Sequence, residues 1–212
     1  MILDYLPPVR LVRALIARRV EAPESYNLLQ RVVGSERVWR VFVGEHLRPR
    51  PGLRVLDIGC GPAEVLSYLP EVEYLGIEPH QPYVDGARRR YGARGRFRQA
   101  SAQELVAEGA APFDVVMLLG VLHHLDDATA ASMLAAARAL TAPGGRLLTL
   151  DGCYAPGQSV IARAAFWADR GDFTRDEAGY LRLIRGSYAE VKTSLRGALL
   201  RLPYTYLIVE AR

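Results

Sequence analysis

Apolar positions recur along the chain with two different periods, and the switch between them divides it. Over residues 1–50 the spacing is helical. Leu11, Leu15 and Ile16 share one face, with Arg10, Arg13 and Arg18 on another. A second helix is predicted to start near Pro23–Glu24–Ser25. It carries Leu28, Leu29, Val32, Val33, Val38, Trp39, Phe42 and Val43, and Pro49, Pro51 and Gly52 end it. From residue 53 onward, strand-like runs alternate with helical ones. Strands are predicted at Leu53–Ile58, Tyr74–Ile77, Gly95–Arg98, Phe113–Leu119 and Arg146–Leu150. Helices are predicted between the first strand and Leu69, at Pro82–Tyr91, at Ala102–Ala107, and from Asp126 or Asp127 to Ala142, where Pro143–Gly144–Gly145 intervene. Strands that are apolar almost throughout belong to a parallel sheet covered on both faces.

The end of the chain reads differently. Two helical pieces are predicted at Val160–Ala168 and Asp176–Ile184. Tyr188–Leu195 and Tyr204–Glu210 then alternate like strands around a turn at Gly197–Pro203, which suggests an antiparallel edge. With no internal repeat and no linker, residues 1–212 read as one domain. Its parts are N-terminal helices (1–50), a core (53–151), a helical insertion (152–186) and a terminal β-hairpin (187–212).

Composition narrows the class. Half the residues are apolar and about a quarter charged, enough for a full core and unlike a disordered chain. The longest apolar stretch, Val115 to Leu122, is broken only by Gly120 and falls far short of the roughly 20 residues of a membrane span. Asp4, Pro7, Pro8 and the arginines at 10, 13, 18 and 19 interrupt any signal-peptide core, so a cytoplasmic protein is expected. Cys60 and Cys153 form neither a CxxC pair nor a metal-ligand cluster. The net charge of +4 raises a nucleic-acid role, but Lys192 is the only lysine and the arginines are scattered, apart from Arg88, Arg89 and Arg90. That pattern reads as the arginine usage of a GC-rich bacterial genome, with solvated faces, and argues against nucleic acid.

The chemistry centres on Val55–Leu56–Asp57–Ile58–Gly59–Cys60–Gly61–Pro62. A strand ends in Asp-x-Gly-x-Gly at the sheet's carboxyl edge, where open α/β sheets bind ligands. Gly59 and Gly61 let the backbone turn tightly and approach a ligand, while Asp57 can accept bonds from a cationic amino group. A dinucleotide fingerprint would place a third glycine where Glu64 stands, and a carboxylate there repels a diphosphate. The loop therefore points to a cofactor without phosphate. Glu78 ends the second strand about 20 residues after the glycine loop, the distance at which an acid accepts bonds from ribose hydroxyls.

These residues resemble the class I S-adenosylmethionine (SAM)-dependent methyltransferases, in particular the small-molecule, quinone-biosynthesis-like branch. The likeness runs from residue 53 to about 151. It implies a doubly wound, Rossmann-like α/β fold: seven strands with the last antiparallel, helices on both faces, an N-terminal helical extension and a helical cap inserted at 152–186. It also implies SAM as methyl donor and S-adenosylhomocysteine as product. Asp57, Gly59, Cys60 and Gly61 would hold the methionine part, Glu78 the ribose. Ser101, Ala102 and Gln103 would lie along the adenine, with Pro79 and Tyr83 as neighbours, and Leu119 and Gly120 would offer backbone contacts. Tyr26 and Gln30, on the helix leading into the first strand, would reach the cofactor.

Val121–Leu122–His123–His124–Leu125 resembles the same branch's segment after the fourth strand. His124, or else His123, is a general-base candidate, because imidazole titrates near neutrality. The alternative is a buried histidine that orients the loop. Asp126 and Asp127 read as N-cap and first-turn acids of the next helix. Asp151 resembles a metal-holding position of catechol-type enzymes, but the companion acid–Asn pattern is not apparent, so no metal is expected. The insertion supplies aromatic surface (Tyr154, Phe166, Trp167, Phe173, Tyr180) and cations (Arg163, Arg170, Arg175, Arg182, Arg185). Tyr154, Trp167 and Arg175 are the candidates for touching a small-molecule substrate. The expected activity is methyl transfer to O, N or C of a small molecule. The rivals are a SAM-binding protein without methyl transfer and an RNA or protein methyltransferase. Oligomeric state is not legible.

Overall fold

The computed structural model describes residues 35–159, 162–163, 172–200 and 203–212. The predicted first helix, most of the predicted Val160–Ala168 helix, and the candidates Tyr26, Gln30 and Trp167 lie outside the described residues.

The chain enters through α1 (Ser35–Val41), which widens into a π-helical turn at Phe42–Leu47 and stops at Arg48, a left-handed residue with φ 45°. Phe42 and Leu47, both fully buried, plug the sheet from below. The strands are β1 (Arg54–Ile58), β2 (Glu73–Ile77), β3 (Arg96–Arg98), β4 (Phe113–Leu119), β5 (Thr141–Tyr154), β6 (Arg175–Asp176), β7 (Val191–Arg196) and β8 (Tyr206–Ala211). Between them lie α2 (Gln81–Tyr91), α3 (Ala102–Ala107), α4 (Asp127–Ala139) and α5 (Glu177–Arg185).

The main sheet runs β3-β2-β1-β4-β5-β8-β7, with β8 antiparallel to both neighbours and the remaining pairs in that row parallel. The predicted seven strands are present, with the last antiparallel. An eighth, the two-residue β6, pairs with the end of β5 through Cys153↔Arg175 and Tyr154↔Asp176.

Strand alternation sends successive side chains to opposite faces. Leu56, Ile58, Val116, Leu118 and Leu147 pack with Leu105, Leu134, Tyr180 and Ile184 from α3, α4 and α5. Val55, Val115, Met117, Leu148 and Ile208 pack on the other face with Val38, Phe42, Leu47, Val84 and Tyr91 from α1, the π-helical turn and α2. The chain doubles back between β1 and β4, so the crevice for a ligand opens at their carboxyl ends.

Two predicted boundaries are corrected. The helix expected after β1 is only a 3₁₀ turn, Glu64–Tyr68. Pro70 forces Leu69 into extended backbone at ψ 144°, leaving too few residues for a full α-helix. The helix expected to reach Ala142 ends at Ala139, because Thr141 already pairs with Phe113 in the sheet. Pro143–Gly144–Gly145 then form an irregularity inside β5, with Gly144 at φ 76°.

Candidate active site

The glycine loop leaves β1 as the sequence implies. Gly59 and Gly61 have φ of 69° and 50°, and Ala63 follows at 54°. The amides of Gly59 and Cys60 donate to Ile77 O at 2.8 and 3.0 Å, which fastens the loop to the end of β2. Gly61 donates to Glu78 Oε2 at 3.1 Å, and His80 N donates to Glu78 Oε1 at 3.1 Å. Glu78, buried, thus closes the loop from the neighbouring strand.

Asp57 is 2% exposed. Its Oδ2 accepts a 2.6 Å bond from the hydroxyl of Tyr74, while the buried Oδ1 has no partner. Burial pushes this carboxyl up to about 7; Tyr74's bond pulls it down and Glu78's charge adds to the rise. Burial likewise raises the Cys60 thiol well above its ordinary range, so Cys60 serves the loop as a packed apolar group. Tyr74 is the residue that the sequence reading missed. A hydroxyl inside an otherwise apolar strand was the available signal.

The loop after β4 lies directly against the glycine loop. A Cβ on Gly59 would stand 2.9 Å from Val121 Cγ2. Gly120, at φ 71°, donates to Leu150 O at 2.7 Å and lies close to the ring of His123. His123 is buried. Its Nδ1 lies 2.8 Å from Asp151 Oδ1, and its backbone N–H donates to the same oxygen at 3.2 Å. A buried carboxylate facing Nδ1 accepts from Nδ1–H and so favours the tautomer protonated at that nitrogen. His124 is exposed, with its ring centroid 4.1 Å from that of His123. Asp151 is therefore a partner for His123. Among the described residues, no group of three or more His, Cys, Asp and Glu is arranged to hold a metal ion.

The other predicted positions divide. Pro79 is exposed and Tyr83 half-buried at the start of α2, beside Glu78. Ala102 is fully buried. Ser101 caps α3: its hydroxyl takes the Glu104 amide at 3.2 Å, and Glu104 accepts the Ser101 amide at 2.6 Å. Gln103 donates to Ser132 on α4 at 3.1 Å. Both side chains have structural partners on helices. Leu119 and Gly120 sit at the end of β4, beside the glycine loop. Tyr154 ends β5 under the guanidinium of Arg163, 5.6 Å from its ring centroid. Tyr180, expected on the pocket wall, is instead in the core and donates to Gly152 O at 2.9 Å.

Arg175 is corrected most. All five of its N–H donors are used inside the protein. They go to Asp127 Oδ1 at 2.9 and 2.6 Å, Leu122 O at 2.9 Å, Phe173 O at 2.9 Å and Leu125 O at 2.7 Å. No donor remains for a substrate.

An unpartnered buried carboxylate oxygen, two left-handed glycines and a second carboxylate one strand away suit a ligand with an amino group and ribose hydroxyls, and disfavour a diphosphate. Residues 55–145 match the family model described as a methyltransferase domain. Over that stretch the chain is similar to methyltransferase domains, and SAM is the cofactor that its site fits. A ubiquinone biosynthesis O-methyltransferase of Caulobacter sp. (strain K31) is 32% identical over 110 residues, covering 50% of this chain and 43% of that protein. The chain thus matches less than half the length of that relative. Among solved structures, the pyocyanin biosynthetic protein PhzM superposes with a TM-score of 0.72 at 18% identity, covering 94% of this chain and 61% of that one. Magnesium protoporphyrin IX methyltransferase from Synechocystis PCC 6803 with bound SAM gives a TM-score of 0.56 at 19% identity, covering 86% and 79%. At these identities the likeness is one of fold.

Proposed function

We propose that the protein methylates a hydroxyl oxygen on a small, hydroxylated aromatic molecule, with His123 as general base. One observation carries the reading: the buried His123–Asp151 pair, 2.8 Å apart, stands at the carboxyl end of the sheet against the glycine loop. The similarity to an O-methyltransferase of ubiquinone biosynthesis supports oxygen over nitrogen or carbon as the acceptor atom.

SAM, when bound, supplies a methyl carbon on a sulfonium and leaves as the thioether S-adenosylhomocysteine. Asp57 Oδ1 would accept from its ammonium and Glu78 from its ribose hydroxyls; Gly59, Gly61 and Gly120 would let backbone approach it. His123 Nε2 would take the proton of the acceptor hydroxyl, and Asp151 would stabilise the imidazolium through Nδ1–H. Alignment supplies much of the remaining rate, up to about 7–11 kcal/mol in the best-oriented systems. The exposed Phe173, whose amide donates to His123 O at 3.0 Å, offers an apolar wall beside the base.

The test is transfer of a deuterated methyl group from SAM to a panel of catechols and hydroxybenzoates, read by mass spectrometry. His123→Asn is expected to lower kcat about 10²–10⁴-fold, the range of general-base catalysis. Labelled nitrogen or protein products, or full activity in His123→Asn, would contradict the assignment. Cofactor binding with no transfer to any acceptor would favour a protein that uses SAM without methylating.

A further inference from the structure

We infer that Arg175 is a positioning residue that holds the His123 loop in its working shape and joins it to the segment arriving from the insertion. This rests on the reading of His123 as base. Residues 121–126 lack regular secondary structure apart from one 3₁₀ turn at Leu122–His124, so their shape is not set by a ladder. Two carbonyls of that loop, Leu122 O and Leu125 O, flank the histidines and both accept from Arg175. Asp127, the first residue of α4, accepts twice more. The same guanidinium takes Phe173 O, and the Phe173 amide returns to His123 O at 3.0 Å. The backbone of residues 172–176 is itself docked, through β6 pairing with Cys153 and Tyr154 at the end of β5.

The electrostatics favour a staple over a surface ion pair. The Arg175 side chain is 11% exposed while that of Asp127 is 74% exposed, so the carboxylate contributes little and the carbonyl bonds carry the grip. A planar fork with five donors can reach three carbonyls and a carboxylate together; an ammonium with three donors cannot. The loop orientation that aims His123 is therefore tied to the docking of residues 172–176 through one side chain. Order in that segment and geometry of the base become one event.

The test compares Arg175→Lys and Asp127→Asn with the parent in three readouts. Hydrogen exchange of the His124, Leu125 and Phe173 amides is expected to speed up about tenfold or more in Arg175→Lys and less in Asp127→Asn. The ring nitrogen resonances of His123 should shift. S-adenosylhomocysteine affinity should stay within about twofold. With an acceptor in hand, kcat should fall with the acceptor KM little changed. Unchanged exchange and an unchanged His123 signal would overturn the staple, as would a rise in acceptor KM alone, which marks direct substrate contact. Faster exchange together with full activity of His123→Asn would uphold the staple and remove only the base.

Discussion

At Asp57 burial bears directly on the proposed cofactor seat. An exposed aspartate loses its proton near pH 4, whereas here the carboxyl holds it up to about 7, chiefly because it is desolvated. The folded state therefore binds this proton more tightly than the unfolded one. The group weakens the fold as pH rises from about 4 to about 7. An ammonium against Oδ1 favours the ionised form, so cofactor binding near pH 6.5 should expel a proton. Calorimetry in phosphate and in Tris should give different apparent enthalpies for the parent and equal ones for Asp57→Asn; equal heats in the parent would contradict the placement. Gly59 is a second single-residue test. Its φ of 69° and the 2.9 Å approach of Val121 leave no room for a Cβ. Gly59→Ala should cost about 1–3 kcal/mol and abolish detectable SAM binding; retained affinity would mean that the loop is not the cofactor's seat. The turn at Gly59 and Gly61, between Asp57 and Glu78, was legible because residue types and spacing encode a conformation. The bonds of Tyr74 and Arg175 were not: Tyr74 reaches Asp57, 17 positions away in sequence, and Arg175 reaches Leu122, 53 positions away.

Among the elements, α3 shows how much one cap decides. It has six residues and begins in a capping box between Ser101 and Glu104. Ser101→Ala should cost about 1 kcal/mol of stability, seen as a lower thermal midpoint. SAM affinity should change less than about twofold if the hydroxyl is structural; a large loss of affinity with an unchanged midpoint would make Ser101 a cofactor contact instead. The strands of the core were legible because buried parallel strands are continuous apolar runs, and α2, α3 and α4 because their start signals are local. The 3₁₀ turn at Glu64–Tyr68 was misread as a helix, since apolar spacing over so few residues does not register the restriction that Pro70 imposes. The length of β5 was missed because Pro143–Gly144–Gly145 signal a break, while the ladder to β4 resumes at Arg146 after a bulge. β6 is two residues long and exists only as a partner of β5, so no periodicity could announce it.

For the whole molecule, the sheet order is the functional fact. Reversal of winding between β1 and β4 brings the glycine loop and the His123 loop to one edge, with Val121 seated against Gly59. Insertion of β8 antiparallel between β5 and β7 closes the far side of the sheet and leaves that edge open for ligands. This arrangement was legible in outline from strand–helix alternation and the terminal hairpin. The central claim is that the crevice is a seat for SAM, and titration calorimetry of the protein with SAM, S-adenosylhomocysteine and NAD, with Asp57→Ala as control, tests it most directly. Dissociation constants on the order of micromolar for the first two, lost in Asp57→Ala, with no heat from NAD, are the expected result. Tighter binding of NAD, or no binding of SAM or its product, would contradict the account.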